Sequence, residues 1–398
     1  MPETPTTKTI EAAQAYILPT YAKPAVVIER GEGVYLFDSE GRCYLDFASG
    51  IAVNALGYGD PEITKVITEQ AAQLIHISNL YHNAHASNLA HLLVTSSPAF
   101  AKVFFANSGA EVIEAALKFA RRYARAQTGS SATSFVAFDG AFHGRTMGAL
   151  AVTAREKYRE PFMPVMPGAR FAQFNDVASL EATMGDDVCA VILEPVQGEG
   201  GLRVATSEFL QAARTLCDRY GALLIFDEIQ CGMGRTGTLW AHEPLDVRPD
   251  IMVVAKPLAA GLPIGAVLMS QAVAECIQVG DHGTTFGGGP LVTAVAATVL
   301  QRINQPVFLE QVRSVASYLD EALMDLLAER SDTIKELRGR GLMRGFQISG
   351  SAAAVSKAAL ERGLLVATSG EDVVRLLPPL IIEPRHVDEM IDTLRQAL

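Results

Sequence analysis

Five short segments of the chain are almost uninterrupted in apolar residues: 102–106 (KVFFA), 134–138 (SFVAF), 188–193 (VCAVIL), 222–227 (ALLIFD) and 251–255 (IMVVA). None is long enough for a helix, and none alternates as a strand with one wet face does. They predict strands covered on both sides, as in a parallel sheet. The intervening stretches change to a helical period. After Asp60-Pro61, apolar residues fall at Ile63, Val66, Ile67, Ala71 and Leu74, with Asp60 placed to cap and Pro61 to open the helix. Further helices are predicted through Leu89, Leu92 and Leu93, from the turn at Ser108 to about Arg125, and over 207–220. Strands alternating with helices predict an α/β fold.

The two ends of the chain read differently. Segments 34–37 and 43–47 flank Asp38-Ser39-Glu40-Gly41 as a hairpin would. Pro290 opens an alanine- and valine-rich helix, and from Arg338 onward the pattern is strand 342–348, helix 352–362 closed by Gly363, strands 364–367 and 373–377, and helix 384–398. With 398 residues and roughly 150 residues per domain, two or three domains are expected. We expect residues 61–290 to form the large domain. Residues 1–60 contribute the N-terminal part of a small domain, and 291–398 its C-terminal α+β part.

Parallel sheets take their ligands beyond the carboxyl ends of the strands, and here each of the five predicted strands ends in polar residues. Ser108-Gly109-Ala110 open a helix whose free amides suit a phosphate, although a plain cap by Asn107 or Ser108 explains the same residues. Phe142 or His143 could stack on a planar ring, and Arg145 suits a carboxylate. Glu194 and Glu199 share the loop EPVQGEGG without a His or Cys, so no metal site is predicted, and a structural hydrogen-bonding role is expected for at least one of them. Asp227 and Lys256 close the last two strands. An acid and an amine there suit a cofactor with a cationic ring nitrogen and an aldehyde, which describes pyridoxal phosphate. Pro257 argues against a helix starting at the lysine.

Three glycine-rich or polar loops remain. Gly232-Met233-Gly234-Arg235-Thr236-Gly237 matches a dinucleotide fingerprint, but four residues separate it from the strand and no helical period follows. It is read as a loop crossing the pocket. The segment 76–83 lines a pocket or merely covers one, and 281–290 (DHGTTFGGGP) forms a polar glycine-rich loop.

Composition narrows the classes. A net charge of −11 argues against nucleic acid or an anionic membrane as partner, and no run approaches the roughly 18 apolar residues of a membrane span. The N-terminus lacks the apolar core of a signal peptide. The five cysteines are scattered without a C-x-x-C, which points to reduced thiols and a cytoplasmic protein.

The motifs NSGAE, FHGRT, EPVQGEGG, DEIQCGMGRTG, AKPLAAGLPIG and HGTTFGGGP occur in the order found in class III aminotransferases of PLP fold type I. The chain resembles that family along nearly its whole length, and residues 31–54 with Ser78 to Tyr81 look closest to its acetylornithine branch. The resemblance implies a large, mostly parallel α/β/α sheet domain, a smaller α+β domain and a homodimer with shared active sites. It implies that Lys256 forms the Schiff base and moves the proton, that Asp227 pairs with the pyridinium nitrogen, and that Gln230 lies near the phenolic oxygen. Ser108, Gly109 and Ala110 would hold the phosphate with Thr285 of the other subunit, Phe142 would stack, and His143 joins the cofactor-binding set. Arg145 and Arg375 would bind substrate carboxylates, with Glu199 covering Arg375 from a loop able to swing. Glu194 and Tyr21 complete the residues expected around the substrate. The implied reaction is transfer of the ω-amino group of N2-acetylornithine to 2-oxoglutarate in arginine biosynthesis. Succinylornithine, ornithine, 4-aminobutyrate and a carrier-bound lysine precursor are alternative donors. Near Gly57 and Gly59 the chain lacks the family's usual histidine, and Val112, Ile113 and Gly289 also depart from its pattern.

Overall fold

A computed structural model describes residues 5–128 and 132–398. A hairpin at the N-terminal end comprises β2 (Tyr35–Asp38) and β3 (Cys43–Asp46), as expected, with β1 (Ile28–Glu32) added on the outside. β1 escapes the apolar pattern because its residues, IERGE, are mostly exposed.

The centre is a seven-stranded sheet. Its strands are β4 (Lys102–Ala106), β5 (Ser134–Phe138), β6 (Ala169–Ala172), β7 (Val188–Leu193), β8 (Leu223–Asp227), β9 (Ile251–Val254) and β10 (Gly265–Met269), in the spatial order β4-β10-β9-β8-β7-β5-β6. The five uninterrupted apolar segments are all in it. β5, β7, β8, β9 and β10 are buried at every residue. Their alternate side chains enter different cores: along β8, Leu223 and Ile225 join one cluster, Leu224 and Phe226 the other. A strand with a core on each face cannot show polar alternation, which is why the sequence reads as continuous.

β10 alone runs antiparallel, pairing with both β4 and β9. The connection from Val254 to Gly265 contains no α-helix, and a crossover long enough to return parallel needs a dozen or more residues. β4 therefore points the same way as β5 to β9, and the carboxyl ends of all five candidate strands share one edge.

The C-terminal part contributes β11 (Ile334–Arg340), β12 (Met343–Ile348), β13 (Leu364–Leu365), β14 (Ala367–Ser369) and β15 (Val373–Leu376). The single strand expected at 364–367 is two. β13 leaves to pair in parallel with β3, whereas β14 joins a second sheet in the order β11-β12-β15-β14. β11 was not expected, since its sequence IKELRGR has only two apolar residues.

Two local expectations are overturned. A 3-10 turn starts at Lys256 in spite of Pro257, because proline is tolerated in a first turn where its missing N–H is not needed. The Gly232–Gly237 loop does not cross the cleft. It is buried under the C-terminal part, where a Cβ on Gly234 would strike Ile303 and one on Gly341 would strike Thr236. Arg235 inside it donates to the carbonyls of Leu342 and Pro378. Among the described residues no helix is long and apolar enough to cross a membrane, and all five cysteines are free.

Candidate active site

The five strand ends meet at one cleft. β4 supplies Gly109 and Ala110, β5 supplies Phe142, His143 and Gly144, and β7 supplies Glu194 and Glu199. Asp227, Ile229 and Gln230 come from the end of β8, and Lys256 from the end of β9.

Asp227 is fixed by two donors. His143 Nδ1 lies 2.7 Å from its Oδ2, and the amide of Ile229 donates to its Oδ1 at 3.0 Å. Burial alone would depress the imidazole, but the hydrogen bond to Asp227 and that residue's charge outweigh it and raise the His143 pKa. His143 is therefore the carboxylate's partner rather than a stacking ring. Phe142 remains the aromatic side chain on the cleft wall.

Lys256 reaches into the cleft with no hydrogen-bond or ion-pair partner among the described residues. Burial first, and then the charge of Arg375, lower its pKa against the opposing pull of Asp227, Glu199 and Glu194. Its backbone sits at φ +34°, an uncommon conformation for a residue with a side chain.

At the opposite end, the helix Gly109–Thr128 starts directly beyond β4. Its first amides have no intrahelical partner. Ser108 Oγ accepts from Glu111 N at 3.3 Å as a cap, and Gly109 and Ala110 line the cleft. Gly265 allows the turn to pack closely, since a Cβ there would lie 2.9 Å from Ser108 O and 2.7 Å from Val112.

Arg375, on β15, is buried beside Lys256's cleft. One guanidinium nitrogen, Nη1, donates to Glu199 Oε1 at 2.6 Å, Gly198 O at 2.9 Å and Gln230 Oε1 at 3.1 Å. Its Nε has no partner. The expected acid therefore pairs with the expected arginine. A Cβ on Gly198 would lie 2.5 Å from Gln230, and one on Gly200 2.4 Å from Gln197, so both positions are packed too closely here for a side chain.

Glu194 lines the cleft, yet both its oxygens are engaged. They accept from Phe142 N at 3.1 Å and Gly198 N at 3.0 Å, which ties two loops together, and burial lifts its pKa to about 7. Arg145 is exposed, stacked 3.5 Å over the ring of Tyr158. Thr285 lies in the loop beside Asn107 and Glu111 rather than in its own chain's cleft. Tyr21 is 79% exposed and lines a different cavity with Ile17 and Leu18.

Sequence reasoning did not find that three asparagines hold the 283–289 loop. Asn79 donates to the carbonyls of Thr284 and Gly287, Asn83 to Gly288, and Asn107 to Thr284 Oγ1. Asparagines facing a glycine-rich loop carry no periodic signal. Tyr158 and Ile229 were also missed, the first because it comes from a short helix with no strand end nearby.

Pyridoxal phosphate fits this donor set. The cleft holds an unpartnered amine, a carboxylate fixed by a histidine, a flanking phenyl ring and a helix N-terminus built of small residues. Known proteins point the same way. The description Aminotransferase class-III matches residues 16–398. The mitochondrial acetylornithine aminotransferase of Alnus glutinosa is 50% identical over 98% of this chain and 87% of its own. The succinylornithine transaminase of Yersinia pseudotuberculosis is 44% identical over 100% of this chain and 98% of its own. Among solved structures, the N-acetylornithine aminotransferase from Stenotrophomonas maltophilia K279a superposes with a TM-score of 0.85 at 39% identity, covering 98% of each chain. The chain belongs to the class III aminotransferases, a family that works with pyridoxal phosphate.

Proposed function

We propose that the enzyme transfers the ω-amino group of N2-acetylornithine to 2-oxoglutarate, giving N-acetylglutamate semialdehyde and glutamate. The observation that carries this reading is the ion pair between buried Arg375 and Glu199, which lines the cleft that holds Lys256. Glutamate presents a carboxylate beside its reacting carbon, and Arg375 is the cation for it. The donor presents only methylene groups there. A buried arginine left bare costs about 2 to 5 kcal/mol, and Glu199 covers it.

When bound, pyridoxal phosphate supplies an aldehyde to take up the amino group and a ring that spreads the electron pair left by proton removal. The chain's own residues do the rest. Lys256 would anchor the aldehyde and move the proton, its lowered pKa keeping the amine available. Asp227, held by His143, would keep the ring nitrogen protonated. Phe142 would flank the ring, the Ser108 to Ala110 turn would hold the phosphate with Gln230 toward the phenolic oxygen, and Arg145 would take the donor's carboxylate.

The active unit in this reading is a homodimer sharing its sites, supported by the exposure of Phe286 (65%) and Tyr81 (67%) around the Thr285 loop. The parallel pairing of β3 with β13 supports a small domain made from residues 1–60 and 291–398 beside the large domain, 61–290. Free cysteines support a cytoplasmic site of action.

N2-succinylornithine is the second reading. The Yersinia relative carries that name, and Arg145, Arg155 and Lys157 all approach the ring of Tyr158, which meets Phe142 edge-on; these cations are the candidates for a second carboxylate. A donor panel at fixed 2-oxoglutarate, ranked by kcat/KM, separates the two. A preference for 4-aminobutyrate or unacylated ornithine would sink both.

A further inference from the structure

Arg145 combines a fixed backbone with a free side chain. On one side of it, the amide of His143 donates to Thr153 Oγ1 at 2.9 Å, and a Cβ on Gly144 would lie 3.0 Å from Ala149 and 3.1 Å from Ala110. On the other, the amides of Gly148 and Ala149 donate to Glu114 Oε1 at 2.8 and 3.2 Å. Glu114 belongs to the helix Gly109–Thr128, so the segment carrying Arg145 is tied to the helix that opens at the cleft. The guanidinium itself is exposed and has no hydrogen-bond or ion-pair partner among the described residues. It rests on an aromatic ring instead. Its Cζ is 3.5 Å from the ring centroid of Tyr158, against 5.7 Å from that of Phe142. Tyr158 is half-buried and meets Phe142 edge-on at 6.4 Å, and Phe142 lines the cleft. Arg155, 5.8 Å from the same ring, is engaged elsewhere, donating to the carbonyl of Glu199.

We propose that Tyr158 is a positioning residue for Arg145: its ring face holds the guanidinium beside Phe142 and leaves the N–H edge open to the donor's carboxylate. This rests on the reading above in which Arg145 takes that carboxylate. A long side chain in water loses rotamer freedom when a substrate pins it. An arginine parked on a ring has lost part of that freedom beforehand, so the cost does not fall on the binding step. The kind of partner matters as much as its presence. An acid beside Arg145 would also hold it, but would occupy the N–H groups that the substrate needs. A ring contacts the face of the guanidinium and leaves its in-plane donors, the edge a carboxylate binds in bidentate fashion. The ring does this without its phenol, since the Tyr158 hydroxyl makes no hydrogen bond among the described residues.

The test compares single-turnover donor half-reactions of the holoenzyme with N2-acetylornithine and with N-acetyl-1,4-diaminobutane, the same amine without its carboxylate. The ratio of the two specificity constants measures what the carboxylate contributes. Tyr158→Leu should lower that ratio about fivefold, as expected for one exposed cation–π contact. The loss should lie in the apparent dissociation constant of N2-acetylornithine, with the limiting rate unchanged. Tyr158→Phe, which keeps the ring face, should retain the wild-type ratio, and Tyr158→Met replaces Tyr158→Leu if that variant folds poorly. In an Arg145→Met background, Tyr158→Leu should change nothing further, because the cation it positions is gone. Three results would overturn the proposal: an unchanged ratio in Tyr158→Leu, a ratio in Tyr158→Phe as low as in Tyr158→Leu, or equal losses with both amines, which mark a packing residue. An Arg145→Met variant that still prefers the carboxylate would instead remove Arg145 from substrate binding and take the proposal with it. The ratio reports on the carboxylate alone, so a donor panel that ranks N2-succinylornithine first leaves it readable.

Discussion

His143 and Asp227 form a buried pair, Nδ1 to Oδ2 at 2.7 Å, with side chains 0% and 4% exposed. They come from the ends of β5 and β8, which are separated in the sheet by β7. The imidazole crosses beneath the end of the intervening strand to orient a carboxylate whose other oxygen is held by a backbone amide. A carboxylate so fixed presents one geometry to whatever cation meets it.

This pair yields the first prediction. Asp227→Asn should retain cofactor, because the phosphate turn is intact, but lose most proton transfer, because an amide cannot hold a pyridinium proton. His143→Ala should lower kcat by about tenfold to a hundredfold, matching one charge-assisted hydrogen bond of about 1.5 to 3 kcal/mol. His143→Asn, which can still donate, should fall in between. Full kcat in Asp227→Asn would reduce that residue to an ordinary strand-end acid.

The same pair shows what a sequence can carry. Asp227 and Lys256 were legible because a double-sided core erases polar residues from β8 and β9, so the first polar residue after each run marks the sheet edge. His143 was legible as a site residue but not in its role. Whether an imidazole stacks or hydrogen-bonds depends on the distance between strands that are neighbours only through β7, which linear spacing does not encode. Glu194 and Glu199 illustrate the opposite limit. Both are acids in one glycine-flanked loop, and only their partners in the fold, two backbone amides for Glu194 and Arg375 for Glu199, separate the one that ties loops from the one that covers an arginine. β1 and β11, with charged exposed residues, lacked any apolar pattern to read.

The second prediction concerns Lys256 and pH. Burial and the Arg375 charge lower its pKa, and the nearby acids raise it. Cofactor uptake by the apo-protein needs the neutral amine, so its rate should rise with pH through a midpoint below the ordinary lysine value of about 10.4. Arg375→Met removes a neighbouring cation, which raises the lysine pKa and moves the midpoint to higher pH. Glu199→Gln removes a neighbouring anion and moves it lower. Absorbance-monitored uptake across pH checks both signs, and coincident curves would mean these charges do not reach the amine. Lys256→Ala should give a protein without the yellow adduct and with activity lower by more than the roughly 10² to 10⁴ of a lost general base.

The third prediction is that the smallest active unit is a dimer. The Thr285 loop is held by Asn79, Asn83 and Asn107 without entering its own cleft. Thr285→Ala should therefore weaken cofactor retention at the neighbouring site. Mixing Lys256→Ala subunits with Thr285→Ala subunits should produce hybrids in which one site has both residues. Regained cofactor affinity in the mixture, measured against each parent, supports sharing, and its absence speaks against it.

The last prediction is about how one cleft accepts two unlike substrates. Arg375 spends a single nitrogen, Nη1, on three acceptors, one of them the Glu199 carboxylate. In the glutamate half-reaction the substrate supplies one, and Glu199 must be displaced at some cost. In the donor half-reaction no carboxylate arrives there, and Glu199 must stay. Glu199→Ala should therefore help the first and harm the second, changing the ratio of their kcat/KM values by about 1.4 kcal/mol or more, at least roughly tenfold. Glu199→Gln keeps a hydrogen-bond acceptor without the charge and should shift the ratio less. Stopped-flow single turnovers of each half-reaction give the two rates separately. Equal losses in both halves would make Glu199 a packing residue of the turn, and the acceptance of an ω-amine and an α-amino acid by one arginine would need a different explanation.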